Sequence, residues 1–549
     1  MKNIPTFLSA LLCAGSLTVV SAQTISPYGV GFRGDGTGYY PNSKPPLEWS
    51  ETKNILWKVK LPNWSYSCPV PVAGKVFMTV EPFPPHYWPR LACYDDATGK
   101  QLWIQDINPL DAFPDLTAEQ RKNLTADIAW VHDGLAATYR ICFPLKAKGA
   151  TKADEPEMIE INKKLAEFGV AVESYTPGYG LLRKMRYLDD TKRKKVYGNL
   201  AKYGIAATTT WQNFGNARVG AAFPTPVSDG KHVYVMTVHG TVACFDLDGK
   251  RRWTKTAMYK GHHGLMSSPR LYGDLLLTAW IDTGNFDPRL MAWDKNTGEK
   301  RWEADVRQGE GVNPEAKSRG GGGLVVMTVG KTPVAVCSSG RIVRLPDGQV
   351  FGVSLPAHCG SLAVDDAGDV IFGSGSHDAG SIRWAYELRM EGEDLVLKER
   401  YACGPKSSYG VMSAVFADGR LFADYAQINP QTGAYVGEDI SVSDGRKAKR
   451  TSPQTRHLLL AANGHVYGVR QEGGGKTKSP AAGLAEVYTF EGKKVAENHL
   501  PAGPWDEEAR ARWQQQGFGE DFSYSCSMNI GGDRLYIASQ DFLYCIGNK

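Results

Sequence analysis

Imidazoles, guanidinium groups, aromatic rings and carboxylates recur in this chain just before short apolar strands. Trp64 and Tyr66 precede one strand and Arg218 another. His262 and His263 precede a third, and Arg319 lies in Ser318-Arg319-Gly320-Gly321-Gly322-Gly323. His358, Tyr409, Arg456, Glu520, Asp521 and Tyr524 hold comparable places further along. If the fold gathers these segments at one mouth, cations, imidazoles and aromatic faces together suit an anionic or carbohydrate-like ligand.

Other chemistries find less support. Adjacent residues in an extended loop point to opposite sides, so His262 and His263 do not share one metal ion, and no metal site is expected. The glycine run 320–323 lacks a following Lys-Ser/Thr and is no phosphate loop. Arg33-Gly34-Asp35 spells an adhesion tripeptide, which in three residues is read as coincidence. No nucleophile–base–acid set can be assigned, and catalysis is not assumed.

The elements that would position these side chains are repeats. Cys93 to Trp103 reads CYDDATGKQLW, and Ala292 to Trp302 reads AWDKNTGEKRW. Cys244 to Trp253 reads CFDLDGKRRW, with one residue fewer. Each is a strand ending in Asp, a tight Gly turn, and a strand opened by Trp. Asp95, Gly99 and Trp103, Asp246, Gly249 and Trp253, and Asp294, Gly298 and Trp302 are therefore structural residues of a repeat. The Asp anchors the turn, Gly supplies positive φ, and the indole packs flat between neighbouring units.

Ser/Thr/Cys-Pro pairs, a Gly turn and an apolar strand precede each phrase, and more degenerate copies continue to the carboxy terminus. The last copy stops before its outer strand. Asn54 to Leu61 is a lone strand before the first copy and can supply it, removing an unpaired edge. With the insertion set aside, eight blades average about 47 residues and seven about 54, against ~40–50 for such repeats. The reading is all-β: an eight-bladed β-propeller of four-stranded antiparallel blades, closed by an N-terminal strand.

The expected divisions are a signal peptide (1–22), an N-terminal extension (23–53), the closing strand and first blade (54–103), a largely helical insertion (104–221) and the remaining blades (222–549). The signal reading rests on Lys2, the apolar run Phe7 to Val20, and Val20-Ser21-Ala22 as a cleavage site. Export follows, to the periplasm or beyond the cell, and no later segment reads as membrane-spanning. In the insertion, Leu116 to Gln120 opens like a capped helix, and Met158, Ile161 and Leu165 share a helical face. Such an insertion is expected to cap one rim.

A net charge of +5 over 549 residues argues for neither nucleic acid nor a membrane surface as partner. Sixty Gly, 31 Pro, 14 Trp and 25 Tyr suit a chain of turns and strands. Cysteines occupy repeat positions, as in Ser65-Tyr66-Ser67-Cys68 and Ser523-Tyr524-Ser525-Cys526, and read as small buried hydrophobes more than as a disulfide framework. There is no adjacent Cys pair, no CxxC and no CxxCH.

These phrases resemble the tryptophan-docking repeats of pyrroloquinoline-quinone-like β-propellers, roughly Ala-x-Asp-x-x-Thr-Gly-x-x-x-Trp. Phe32 to Gly38 and Trp49 to Lys58 are similar to exported members of that superfamily. The resemblance covers about residues 30–549 outside the insertion. It implies the propeller but leaves function open. One branch is an outer-membrane assembly scaffold that binds proteins through loops; another is the quinone-dependent dehydrogenases. The expectation is a monomeric binding or scaffold protein, with an unknown protein or an anionic or carbohydrate-like ligand and no cofactor. The alternative is a divergent dehydrogenase using pyrroloquinoline quinone with calcium, or a glycan-processing enzyme.

Overall fold

The repeated phrase builds its blade by pairing a small residue with the tryptophan. Cys93 lies directly across from Trp103, Cys244 from Trp253 and Ala292 from Trp302, each beside a β-bulge. A small side chain here lets the indole lie over the sheet and reach the next blade. This computed structural model describes residues 26–63, 65–81, 87–142, 151–152, 156–166, 170–172, 174–175, 185–187, 190–204, 222–237, 240–257, 267–280, 288–307, 323–356, 361–374, 383–403, 414–423, 426–434, 436, 458–471, 483–500, 527–539 and 542–549.

Eight sheets form the propeller. Their inner strands, in chain order, are Val70–Val72, Val227–Ser228, Arg270–Tyr272, Val325–Val329, Ala363–Val364, Val415–Ala417, Leu458–Ala462 and Ser527–Gly531. Each blade runs from its inner strand outward through antiparallel neighbours. The sixth has three strands among the described residues.

The ring closes as the sequence reading expects. Ile55–Lys60 pairs antiparallel with Phe542–Ile546 as the outer strand of the eighth blade, setting Trp57 opposite Cys545. Trp57 then docks on the first blade as the other tryptophans dock on theirs. The indole N–H groups of Trp57, Trp103, Trp253 and Trp302 donate to the carbonyls of Asp96, Leu247, Lys295 and Leu345, at 2.9–3.1 Å. A Cβ on Gly99, Gly249, Gly298 or Gly348 would stand 2.6–2.7 Å from the docked ring. Those glycines also have positive φ, so both sterics and backbone demand them.

The seventh blade gains a fifth strand. Tyr39–Tyr40 pairs in parallel with the inner strand Leu458–Ala462. The N-terminal extension thus adds a strand to a four-stranded antiparallel blade.

Between the first and second blades, the outer strand runs to Asp106, past the expected start of the insertion. A helix covers Ala118–Cys142, two more cover Pro156–Leu165 and Asp190–Ala201, and short strands lie between them. Thr117 and Gln120 exchange side-chain-to-backbone hydrogen bonds, a capping box. Trp88, Leu110, Leu124, Ile128, Val196 and Leu200 make a separate small core. Asp111 binds Arg251, and the Tyr203 carbonyl accepts from Thr256 at 3.0 Å. Both partners lie on the outer strand Arg251–Thr256 of the second blade. In these contacts the insertion covers a blade edge.

Candidate functional site

The residues just before the inner strands bond to one another around the channel. The Ser527 hydroxyl donates to the Ser67 carbonyl at 2.8 Å, joining the eighth and first blades. The Cys68 N–H donates to the Thr225 hydroxyl at 2.9 Å, and the Thr225 N–H to the Ser268 hydroxyl at 3.0 Å. The Ala414 N–H donates to the Ser361 carbonyl at 3.3 Å. The Ser/Thr/Cys-Pro pairs of the repeat are thus links in a polar ring where the inner strands begin. The short polar side chains satisfy backbone groups that the sheet ladders do not reach.

The other end of the channel is crossed by the N-terminal extension. Val30 pairs with Ser228 in the second blade, and Tyr40 with Ala462 in the seventh. The Phe32 carbonyl accepts from Arg270 in the third blade at 2.8 Å, and Arg33 donates to Ala414 beside the sixth at 2.6 Å. The second and sixth blades stand opposite each other in a ring of eight, as do the third and seventh. A segment of eleven residues that touches both pairs must cross the axis. Ser228 and Ala462 end their inner strands, so the crossing extends away from the polar ring, while Asn529 ties its Gly31 carbonyl to that of Pro69 at the ring.

Asn529 holds this segment with its whole amide. Its side-chain NH₂ donates to the Gly31 and Pro69 carbonyls, both at 2.9 Å. Its side-chain oxygen accepts from the Gly34 N–H at 3.1 Å and from the Tyr40 hydroxyl.

Two guanidinium groups span from this plug back toward the ring. Arg33 is fully buried and Arg270 is 3% exposed. One Nη of Arg33 donates to the Thr37 and Ala414 carbonyls; Arg270 donates from Nε to the Leu324 carbonyl at 3.3 Å and from Nη2 to Phe32. Ala414 and Leu324 each stand one residue before an inner strand. Burial pulls both groups down from the ordinary arginine value to about 10, and the charge of Arg270 lowers Arg33 further. Gly36 and Gly38 make room, since a Cβ there would lie 2.8 Å and 2.6 Å from the two guanidinium groups.

The sequence reading missed this pair. Arg33 falls in a coincidental tripeptide and in the Phe32 to Gly38 run, with no role assigned from either, and Arg270 is unmarked. A signal existed: Pro69-Val70 and Pro226-Val227 open their strands with an apolar residue, whereas Pro269-Arg270 breaks the pattern. Of the predicted mouth residues, Tyr66 is described, half-buried between the buried Ser65 and Ser67. Trp64, Arg218, His262, His263, Arg319, His358, Tyr409, Arg456, Glu520, Asp521 and Tyr524 lie outside the described residues.

Cys68, Cys93, Cys244, Cys337 and Cys545 are free and buried. Burial pushes the Cys68 thiol up to about 11 and the other four to about 12, which makes them packing residues and not nucleophiles. Among the described residues no group of three or more His, Cys, Asp or Glu could hold a metal ion. Among the described residues, too, no helix is long and apolar enough to cross a membrane.

Residues 204–475 match the family model described as "Outer membrane protein assembly factor BamB". No curated protein is similar enough to count as a relative. Among solved structures, BamB from Moraxella catarrhalis is 12% identical with a TM-score of 0.35, over 90% of this chain and 99% of that one. The quinohemoprotein alcohol dehydrogenase of Comamonas testosteroni is 12% identical with a TM-score of 0.38, over 96% and 82%. A europium-containing methanol dehydrogenase is 11% identical with a TM-score of 0.34, over 93% and 82%. Likenesses this weak carry no argument about activity. The eight sheets, the docked tryptophans and the matched segment make this chain a β-propeller of pyrroloquinoline-quinone-like repeats, distantly similar both to the BamB assembly factor and to quinoprotein dehydrogenases.

Proposed function

We propose that this chain is an exported binding or scaffold protein that takes its ligand or partner at the mouth where the inner strands begin. The observation that carries the reading is the N-terminal segment laid across the opposite end, anchored by Asn529 and by blades on both sides of the axis. With that end occupied, a ligand on the axis enters from the side of the polar ring. The segments leading into the inner strands carry Trp64, Tyr66, Arg218, His262, His263, Arg319, His358, Tyr409, Arg456, Asp521 and Tyr524, a set suited to an anionic, carbohydrate-like or protein surface. The segment match to an assembly-factor model supports a scaffold role in the cell envelope.

The test is capture of partners from the native envelope by the tagged full-length chain, compared with His263→Ala and Arg319→Ala. Specific partners lost on either substitution, at unchanged thermal stability, support the mouth. Capture unaltered by both substitutions refutes it. Titration with pyrroloquinoline quinone and calcium, followed by absorbance and dye reduction, tests the enzymatic alternative, which a micromolar complex would revive.

A further inference from the structure

We propose that Arg33 and Arg270 form the floor of the channel mouth as a binding site for a dianionic oxyanion, a phosphate or sulfate group free or at the end of a larger ligand. This deepens the mouth-binding reading and rests on it for the anion's route of entry.

Three observations carry it. First, the pair comes from separate parts of the chain, the plug and the third blade, yet both guanidinium groups reach the level of the polar ring through Ala414 and Leu324. Second, two cations face one nearby carboxylate, and neither is directly paired with it. Among the described residues neither arginine meets a carboxylate at ion-pair distance. Asp35, the carboxylate nearby, accepts instead from the Thr37 N–H at 3.0 Å and the Thr37 hydroxyl at 2.6 Å. Third, Nε and Nη1 of Arg33 and Nη1 of Arg270 are buried and find no acceptor among the described residues.

Burying a cation without a counter-ion is costly, and leaving its N–H groups unpaired adds to that. Two like charges at one site raise the cost. An oxyanion carrying two negative charges answers both demands: it balances two guanidinium groups and supplies acceptors for forked donors, the geometry in which arginine binds phosphate. A monovalent ion would leave one charge standing. Lysine in either place would offer a point charge without the fork.

The experiment is thermal denaturation of the full-length chain in inorganic phosphate from 0 to about 20 mM, with ionic strength held constant by sodium chloride, repeated with sulfate. Ligand that binds only the folded state raises Tm with the logarithm of its concentration above Kd. Wild type is expected to show this rise with both ions. Arg270→Gln, whose amide nitrogen stands at the place of Nε and can still reach the Leu324 carbonyl, is expected to weaken the response at least tenfold. Line broadening of the phosphorus-31 resonance of phosphate by wild type gives a readout independent of any variant's folding. A wild-type Tm flat in phosphate, an absence of broadening, or an Arg270→Gln response equal to wild type overturns the site. The two readings fail separately. If His263→Ala or Arg319→Ala abolishes capture but phosphate does not bind, only the anion site falls. If phosphate binds through Arg270 but capture is indifferent to those substitutions, the mouth reading falls as a partner site.

Discussion

The indole of Trp57 donates to the carbonyl of Asp96 at 2.9 Å and lies against Gly99, as Trp103 lies against Gly249 one blade further on. The N-terminal strand therefore does two jobs at once. It completes the eighth sheet and docks that sheet on the first. Trp57→Ala removes a buried ring at the seam and is expected to destabilise the chain by about 3–5 kcal/mol. Urea unfolding checks this, with Leu102→Ala, on an exposed side chain, expected within ~0.5 kcal/mol of wild type. Equal effects of the two would show that the seam does not hold the ring.

The Thr-Gly turns allow backbone strain to be separated from packing. Gly298 has φ +73° with Trp253 at 2.7 Å from a built Cβ, whereas Gly392 has φ +66° and open space. Gly392→Ala should cost only the left-handed backbone penalty, about 1–2 kcal/mol. Gly298→Ala adds displacement of the indole and should cost clearly more. The comparison is read from denaturant midpoints at equal m-value.

Asn529 is fully buried and spends both ends of its amide on the plug and the neighbouring blade. Asn529→Ala takes the side-chain donor from the Pro69 carbonyl and the side-chain partners from the Gly31 carbonyl and the Gly34 N–H, which keep only their bond to each other, at about 1–3 kcal/mol for a group left unpaired. Hydrogen exchange should accelerate in peptides covering residues 29–40 before the blades exchange. Uniform acceleration across the chain would mean that the extension is not a separately held element.

Alkali should weaken the fold through its thiols. The folded values of Cys68, Cys93, Cys244, Cys337 and Cys545 lie above the ordinary thiol value of 9.0. The unfolded chain thus loses these protons first. Their contribution is complete below pH 9 and is lost as pH rises toward 11 to 12. Urea midpoints should fall across that window, and the five thiols should resist alkylation at pH 8 until the chain unfolds. Rapid native alkylation at these positions would contradict their burial.

The local rules were legible in the chain. Asp, Thr-Gly and Trp at fixed spacing dictate a hairpin whose ring must find a partner sheet, and Cys or Ala opposite the Trp leaves space for it. A carboxy-terminal copy without an outer strand, with Asn54 to Leu61 in hand, was enough to infer closure. These are short-range constraints of backbone conformation and side-chain volume, and each repeat states them again. The extension from Gly29 to Tyr40 carries no period, and its Val30, Phe32, Tyr39 and Tyr40 pack against the cores of different blades. Its place across the channel also comes from scattered hydrogen bonds to Ser228, Arg270, Ala414, Ala461 and Asn529, far away in the chain. Pairing at such separation leaves no spacing to read. For the same reason Arg33 and Arg270 look like ordinary surface cations in the sequence. Only the closed ring removes both from water and sets them side by side.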